Sequence, residues 1–341
     1  MSLFAILLTT VSFLAQSPPS ASNPAEPANN ALAKLRIESE ALLPLIKTDW
    51  VKQFAKGVKR LPIIGPRKVY EDEKQRLFYS HSQFFSLDPP QQNRLIPNKL
   101  NDFDYYFTRY GTPLAYARPL DLLGQHGIKT IRDMKILDFG YGTIGHLRLL
   151  AQLGATAHGV DTDTRLAAMY ATEGDQGAVP NDDGSVGTVT VFSGRWPADE
   201  AVKKQIGDGY DLFISKNTLK MGYIHPTRQA DERRLIKLGV DDAAYLKAVH
   251  DLLKPGGLVM IYNLSPALSP PDKPFLPWTD GRCPFAKELW TAAGFEIVTI
   301  DQDDSSAARE MAHALGWDHG KDPMDLKNDL FAHYTLARKK K

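Results

Sequence analysis

The sequence predicts an α/β protein whose main domain, residues 131–341, is built around a doubly wound, mostly parallel sheet. Two observations support this fold class. The chain has 341 residues, enough for one large α/β domain plus accessory segments. From Met134 onward, short runs rich in β-branched residues alternate with helical segments, as in parallel βαβ units. The strand candidates are Lys135–Phe139, Thr156–Val160, Thr188–Phe192, Tyr210–Ser215, Leu258–Asn263, Phe295–Ile300 and Ala332–Ala337.

The first thirty residues have a different composition from the rest of the chain. Leu3–Ala15 is an apolar run without a charged residue, too short to span a bilayer easily but suited to the core of a signal peptide. Ser20–Ser22 offers a small-residue cleavage site, although no Lys or Arg precedes the run. We predict a signal peptide over residues 1–22, with export to the periplasm or the exterior, and no stable membrane span. A cytoplasmic location is the alternative. Residues 23–30 are predicted to be a disordered linker.

Residues 31–130 are predicted to form a mainly helical N-terminal extension or cap. Apolar residues recur at helical spacing over Ala31–Lys59, and Pro44 divides this stretch into two helices or a kinked one. Leu114–His126 is a further helix ending at Gly127. The aromatic cluster Tyr105, Tyr106, Arg109 and Tyr110 could either cover a cofactor or belong to the core.

The composition excludes several kinds of partner. Lys plus Arg number 41 against 40 Asp plus Glu, so there is no electrostatic case for nucleic-acid binding. The single cysteine, Cys283, rules out an intramolecular disulfide and a cysteine-rich zinc site. The nine histidines show no HExxH spacing, so we expect no metal. The oligomeric state does not follow from the sequence.

The main chemical motif is the loop Asp138–Gly145, which follows an apolar strand and opens a helix. Gly140 and Gly142 permit positive φ angles and a close approach of the backbone to a ligand. The start of the helix favours a negative group such as a carboxylate. Asp138, at the end of the strand, suits an ammonium group, and Asp161, at the end of the next strand, suits a ribose diol.

The glycines of this loop leave two cofactors open. Gly140, Gly142 and Gly145 also spell the GxGxxG fingerprint of dinucleotide-binding proteins, and Asp161 lies at the expected distance for an NAD ribose. Asp138 argues for S-adenosylmethionine instead, because a carboxylate would repel a pyrophosphate and attract an ammonium group. An NAD-dependent oxidoreductase therefore remains the alternative.

With these motifs, the chain from Lys135 to about Ala337 resembles the class I S-adenosylmethionine-dependent methyltransferases. DFGYG resembles the family's first motif, GVD ending at Asp161 its second-strand acid, and LKPGG ending at Gly257 its turn before strand five. The resemblance implies a seven-stranded sheet with an antiparallel last strand. It also implies methyl transfer from S-adenosylmethionine to a small-molecule acceptor. A non-catalytic protein that binds this cofactor is a further alternative.

The resemblance also implies which residues bind the cofactor. Two positions depart from the family pattern: Ile144 stands where the third glycine is usual, and Arg195 and Trp196 stand near the place of an acid that meets the adenine. The predicted cofactor-binding residues are Asp138, Gly140, Tyr141, Gly142, Gly145, Asp161, Arg195 and Ser215.

Three residues after the fourth strand are candidates for catalysis. Ligands in this fold bind at the carboxyl ends of the strands, where Lys216 and Asn217 lie. A buried Lys216 could act as a base, Asn217 could orient the acceptor, and His225 is a candidate general base. The alternative for Lys216 and Asn217 is a loop that contributes only backbone contacts and a helix cap. The alternative for His225 is a surface or packing residue.

The Pro-rich stretch Leu264–Phe285 follows strand five and is predicted to form a lid over the cleft, lined by Trp278, Asp280 and Arg282. Cys283 has no base beside it in the sequence and is not expected to be a nucleophile.

Overall fold

The N-terminal extension begins with two helices separated at a proline, as the sequence predicts. The computed structural model describes residues 30–108, 111–181, 183–320 and 322–341, so the predicted signal peptide and all of the predicted linker except Asn30 lie outside the described residues. Asn30 caps α1 (Ala31–Leu42) by accepting a hydrogen bond from the Ala33 N–H. The helix ends just before Pro44, and α2 (Asp49–Lys56) follows.

The extension also contains a small antiparallel sheet that the sequence analysis did not anticipate. Its strand order is β2-β1-β3, and short helices lie between β2 and β3. The β1–β3 pairing joins segments far apart in the chain, which is why the local pattern did not reveal it. The extension is therefore not mainly helical throughout. Its elements are β1 (Arg67–Asp72), β2 (Leu77–Tyr79), α3 (His81–Ser86), α4 (Pro89–Gln92) and β3 (Ile96–Leu100).

Two residues of the aromatic cluster before the main domain, Tyr105 and Tyr106, belong to the core rather than to a cofactor cap. Tyr105 and Tyr106, on α5 (Asp102–Tyr106), are fully buried. Their hydroxyls donate to Asp175 Oδ1 at 3.0 Å and to the Pro62 carbonyl at 2.5 Å. Arg109 and Tyr110 lie outside the described residues. A 3-10 turn over Pro113–Tyr116 then leads into α6 (Ala117–Gln125).

The main domain alternates strands and helices, and all seven predicted strands are present with slightly different ends. After each parallel strand, a segment containing a helix returns the chain to the end of the sheet at which the next strand begins. In chain order the elements are β4 (Lys135–Phe139), α7 (Gly145–Ala151), β5 (Thr156–Asp161), α8 (Thr164–Met169), β6 (Gly177–Pro180), β7 (Val186–Ser193), α9 (Glu200–Ile206), β8 (Tyr210–Lys216), α10 (Met221–Ile224), α11 (Asp242–Leu252), β9 (Leu253–Ser265), α12 (Lys287–Ala292), β10 (Phe295–Asp303), α13 (Ser305–Ala314), α14 (Leu326–Asp329) and β11 (Phe331–Lys339).

The strands form one sheet in the order β10-β11-β9-β8-β4-β5-β7-β6. β7, β5, β4, β8 and β9 run parallel, and the last strand, β11, is inserted antiparallel between β9 and β10. The sheet has eight strands rather than the seven predicted, because the short β6 pairs antiparallel with β7 at the edge. The predicted doubly wound α/β fold with an antiparallel last strand is confirmed. It is a Rossmann-like arrangement, with the chain order reversing direction at β4.

Both faces of the sheet are buried, as expected for parallel strands covered by helices. Successive residues point to opposite faces, so Ile136 joins one apolar cluster and Leu137 the other. On β8, Leu212 and Ile214 face the first cluster and Phe213 the second. Among the described residues, no helix is both long enough and apolar enough to cross a membrane.

Candidate functional site

A cavity of about 440 Å³ lies at the carboxyl ends of β4, β5 and β7, beside the point where the chain order reverses. This is where ligands bind in open α/β sheets, and the volume is within the usual range for small-molecule sites. Its lining includes Gly140, Asp161, Gly194, Arg195 and Thr218. Three of the predicted cofactor-binding residues therefore meet at one cavity.

The three glycines of the loop after β4 serve different purposes. Gly140 has φ +78° and Gly142 φ +62°, conformations that side chains rarely tolerate. A Cβ on Gly140 would collide with the side chain of Thr218, so the backbone is closely covered there. A Cβ on Gly145 would lie 3.1 Å from Pro113 and 3.2 Å from the Tyr106 ring. Gly145 is thus required for packing against the extension, whereas Gly140 lines the cavity.

Tyr141 lies under the loop and points away from the cavity. Its side chain is only 3% exposed, and a Cβ on Gly159 would meet the Tyr141 ring 2.7 Å away. Its ring also lies near Tyr170, with centroids 6.2 Å apart. Tyr141 was predicted to bind the cofactor. Because its side chain is buried, only its backbone is available for that contact.

Asp138 is fully buried below the loop and is held by two aromatic residues. Its Oδ2 accepts a hydrogen bond from the Tyr116 hydroxyl at 2.7 Å and lies 2.6 Å from His146 Nε2. The Tyr116 and His146 rings are stacked, with centroids 3.7 Å apart. Asp138 Oδ1 has no hydrogen-bond partner among the described residues. Asp138 was predicted from the sequence, whereas Tyr116 and His146 were not. His146 lies on the helix that the loop opens, which is the only sequence signal for either residue.

Asp161 lies at the rim of the cavity, at the end of β5. Its Oδ1 accepts a hydrogen bond from the Asp163 N–H at 3.0 Å, which orients the carboxylate. Burial raises the pKa of this carboxyl group, and backbone N–H groups of Asp163, Gly142 and Thr162 counteract that rise. The Gly142 contact links the acid of the second strand directly to the glycine loop.

The residues after β7 form the far wall of the cavity. Arg195 is exposed and lines the cavity. Trp196 is only 2% exposed, and its ring packs against Phe139 and Tyr245 with centroids 6.3 Å and 5.8 Å away. The ring of Trp196 is therefore mainly part of the hydrophobic core.

Ser215 and Asn217 hold neighbouring strands together. The Ser215 hydroxyl donates to the Phe139 carbonyl at 3.0 Å, joining β8 to β4. Asn217 has φ +65°, and its Oδ1 accepts from the Leu264 N–H at 2.7 Å. The Asn217 N–H donates to the Tyr262 carbonyl at 3.0 Å. These contacts use the acceptor oxygen of Asn217 and favour a structural role over the predicted orientation of a substrate.

Two lysines lie near the end of β8, of which Lys216 is partly exposed and Lys220 is buried. The Lys216 ammonium lies 5.4 Å from the centre of the Tyr116 ring, and burial lowers the pKa of Lys216 to about 8 even though Asp138 opposes the change. Lys220 is 4% exposed, and its ammonium donates to the Leu264 carbonyl at 2.6 Å. Burial, together with the charge of Lys216, lowers the pKa of Lys220 to about 7.

His225 lies at a different opening. It is half-exposed, and its Nε2 lies 2.8 Å and 3.0 Å from the two carboxylate oxygens of Asp242. Both residues line an open cleft of about 780 Å³, which shares the wall Ile236–Leu238 with the cavity. The structure therefore does not bring His225 to the cavity that holds Gly140 and Asp161.

The predicted lid packs against the connection between β8 and α11. The Arg228 guanidinium donates to the carbonyls of Ser269, Pro270, Pro271 and Lys273 and stacks on Phe275. These contacts fix the loop in place.

The three residues predicted to line the lid are engaged in local contacts. Trp278 lies under the Arg234 guanidinium, and Asp280 pairs with Arg282 at 2.6 Å. Cys283 is 3% exposed, and burial raises the pKa of its thiol to about 12, which fits its exclusion as a nucleophile.

One group with metal-ligand chemistry was not foreseen from the sequence. His313, Asp318 and His319 place one ligating atom each within 4.8 Å of the others at the end of α13. His313 Nδ1 lies 2.7 Å from Asp318 Oδ2, so an ordinary hydrogen-bonded ion pair accounts for the arrangement. None of the three lines the cavity.

Comparison with known proteins finds similarity only to solved structures. No family model and no curated protein matches the chain. Among the solved structures that resemble it is phosphoethanolamine N-methyltransferase 2 from Haemonchus contortus, at 12% identity and a TM-score of 0.41, over 85% of this chain and 74% of that one. Another is magnesium protoporphyrin IX methyltransferase from Synechocystis, at 12% identity and a TM-score of 0.33, over 66% and 81% of the two chains.

A third is an S-adenosylmethionine-dependent methyltransferase from Methanosarcina mazei, at 14% identity and a TM-score of 0.32, over 61% of this chain and 93% of that one. With sequence identities and TM-scores this low, the similarity to these structures gives no information on the chemistry of this chain. The fold itself rests on the strand order, the antiparallel β11 and the glycine loop after β4. These define a Rossmann-like methyltransferase fold.

Proposed function

We propose that this protein is an S-adenosylmethionine-dependent methyltransferase acting on a small-molecule acceptor. The observation that carries the proposal is the cavity between Gly140 and Asp161, with the carboxylate of Asp138 buried directly beneath its glycine loop. The glycine loop suits the methionine part of this cofactor. The carboxylate at the end of β5 suits its ribose, and the second carboxylate, below the loop, suits its ammonium group.

The fit of the cofactor rests on features of the cavity itself. A side chain on Gly140 would occupy the space that Thr218 fills, so glycine allows the loop to pack closely against Thr218 in the cavity wall, where both residues lie. Asp161 would hold the ribose hydroxyls, since its carboxylate lies at the cavity rim and is already oriented by Asp163. Arg195 and Leu238 would flank the base. Asp138 Oδ1 is a buried acceptor without a partner, which suits an ammonium donor.

When bound, S-adenosylmethionine supplies a methyl group already activated by the positive charge on sulfur. The chain then has to align the acceptor, exclude water and accommodate one proton. Of the three residues predicted to be catalytic, Lys216 lies beside Asp138, whereas Asn217 is bonded to Leu264 and His225 to Asp242. This distribution agrees with a reaction that depends on positioning more than on a dedicated base.

Ligand binding to the full chain tests the proposal. Calorimetry with S-adenosylmethionine, S-adenosylhomocysteine and NADH should give binding of the first two alone; binding of NADH alone would favour an oxidoreductase. Asp161→Asn should weaken S-adenosylmethionine binding by about tenfold or more, because it removes a charged hydrogen-bond acceptor. Asp163→Asn is the matched control, since Asp163 caps α8 and does not line the cavity.

Methyl transfer is tested with a labelled cofactor and a panel of metabolites representing O, N, S and C acceptors. Turnover that depends on the cavity residues supports an enzyme. Tight cofactor binding with no transfer to any acceptor, including a whole-cell metabolite extract, would favour the non-catalytic alternative.

Export through residues 1–22 is a separate proposal, supported by the apolar run Leu3–Ala15. Fractionating cells that express the full chain and sequencing the N-terminus of the recovered protein tests it. An exported protein starting near Asn23 supports export, and an intact N-terminus in the cytoplasm contradicts it.

A further inference from the structure

A partly exposed cation without an anionic partner lies two residues before Thr218, which lines the proposed cofactor site. Lys216 is the last residue of β8, and its ammonium lies 5.4 Å from the Tyr116 ring. Among the described residues, no carboxylate lies within 4.0 Å of this ammonium, and none of them accepts a hydrogen bond from it. An ammonium group that is partly withdrawn from water and has no anionic partner is suited to an anionic ligand.

The neighbouring strand supplies a buried anion with spare hydrogen-bonding capacity. Asp138 is close enough to stabilise the charged form of Lys216. Its Oδ2 is taken by Tyr116 and His146, whereas its Oδ1 is buried without a partner. The ends of β4 and β8, adjacent in the sheet, therefore present one unpartnered acceptor and one unpartnered cation.

This pair of opposite charges matches the two ends of an amino acid. The methionine part of S-adenosylmethionine carries an α-ammonium and an α-carboxylate on the same carbon. The start of α7, predicted from the sequence to favour a negative group such as a carboxylate, belongs to a helix of only seven residues. Its dipole offers less than a full positive charge, whereas Lys216 provides a whole one.

We propose that Lys216 binds the α-carboxylate of the methionine moiety of the cofactor, and so acts as a cofactor-binding residue rather than as the base. The inference rests on the proposed function, since it assumes that S-adenosylmethionine or its product occupies the cavity. A carboxylate bound at the ammonium keeps Lys216 protonated, which prevents it from accepting a proton from the acceptor substrate.

Two ligands that differ in the amino-acid portion test whether Lys216 binds the α-carboxylate. S-adenosylhomocysteine has the complete amino acid, and 5′-methylthioadenosine keeps the nucleoside and the sulfur but lacks both charged groups. Calorimetry should show that Lys216→Met lowers the affinity for S-adenosylhomocysteine about tenfold to hundredfold, which is the range for hydrogen bonds to charged groups. The affinity for 5′-methylthioadenosine should not change. Lys216→Arg, which keeps the charge, should recover part of the loss.

Lys220→Met is the matched control, because Lys220 is a neighbouring lysine whose ammonium already donates to the Leu264 carbonyl. It should change both affinities by the same factor, and thermal unfolding of each variant verifies that the fold is retained. An equal effect of Lys216→Met on the two ligands would overturn the proposal, as would no effect on either. A fall in turnover with unchanged affinities would assign Lys216 as the base instead. If the unaltered protein binds neither ligand, the proposed function itself is wrong.

Discussion

Tyr116 and His146 stack face to face and both contact the same oxygen of Asp138. Tyr116 precedes α6 and His146 lies on α7, so this contact fastens the extension to the glycine loop. Burial and the charge of Asp138 raise the pKa of the Tyr116 hydroxyl well above its ordinary value, so it remains a neutral donor. The carboxylate beneath the cofactor loop is thereby fixed in position.

Tyr116→Phe should destabilise the protein by about 1–3 kcal/mol, because it removes a donor and leaves a buried carboxylate less satisfied. Urea unfolding followed by circular dichroism measures this change. Tyr245→Phe is the control: the Tyr245 hydroxyl is buried and has no partner among the described residues, so its removal should be neutral or stabilising. Similar losses for the two variants would mean that the bond to Asp138 contributes little.

Gly140→Ala should abolish detectable cofactor binding and destabilise the fold. The substitution meets both a positive φ and the side chain of Thr218. Gly184→Ala has nearly the same φ, +79°, with nothing within 4 Å of the added Cβ, and should cost only about 1 kcal/mol. Adding Thr218→Ala to Gly140→Ala should restore part of the stability, as measured by thermal unfolding; no recovery would mean that the collision is not the cause.

The affinity for S-adenosylhomocysteine should fall as the pH rises above about 8. Burial sets the pKa of Lys216 in the free protein near 8; Asp138 raises it, and a bound carboxylate would raise it further. Binding then takes up a proton above pH 8, so the affinity declines by up to about tenfold per pH unit and is flat below. The facing groups are Asp138 on β4, the neutral Tyr116 and Lys220, whose own pKa lies near 7.

Calorimetry between pH 7 and pH 9 in buffers of different ionisation enthalpy measures this proton uptake. Lys216→Met serves as the control, because titration of the amine on the ligand persists in that variant while the contribution of Lys216 disappears. The same pH dependence in both proteins would contradict the assignment.

Arg228→Ala should loosen the loop that follows β9. The Arg228 guanidinium holds four carbonyls of the segment 269–273 and packs on Phe275, so its removal leaves those groups to water. Hydrogen exchange over residues 266–276 should become at least about tenfold faster, equivalent to a loss of about 1.4 kcal/mol in local stability. Arg233→Ala, which removes a pairing with the nearby Asp231, should leave that exchange unchanged.

The order of strands and helices could be predicted from the sequence because hydrophobic periodicity is a local property. Thr188–Phe192 and Tyr210–Ser215 were identified by their β-branched and aromatic runs, and both lie within strands β7 and β8. The small sheet β1–β3 was missed because its pairing depends on contacts between distant segments. The edge strand β6 was missed because four residues carry too little pattern.

Only part of the candidate site could be predicted, because some of its residues have local sequence signals and others depend on partners far away in the chain. Gly140 and Asp161 were identified because strand ends and glycine turns have local signatures. Asn217 and His225 looked free in the sequence, yet their partners Leu264 and Asp242 are 47 and 17 positions away. Tyr116 gave no local signal at all, since its contact with Asp138 spans 22 positions.

The sequence by itself determined the fold class, the glycine loop and the two carboxylates at strand ends, because backbone conformation and strand periodicity depend on neighbouring residues. Only the tertiary structure decided which side chains remain available for a ligand. The carboxyl ends of β4 and β8 share one edge of the sheet, and that adjacency places Lys216 beside Asp138. Desolvation at this shared edge, and not position in the chain, lowers the pKa of Lys216.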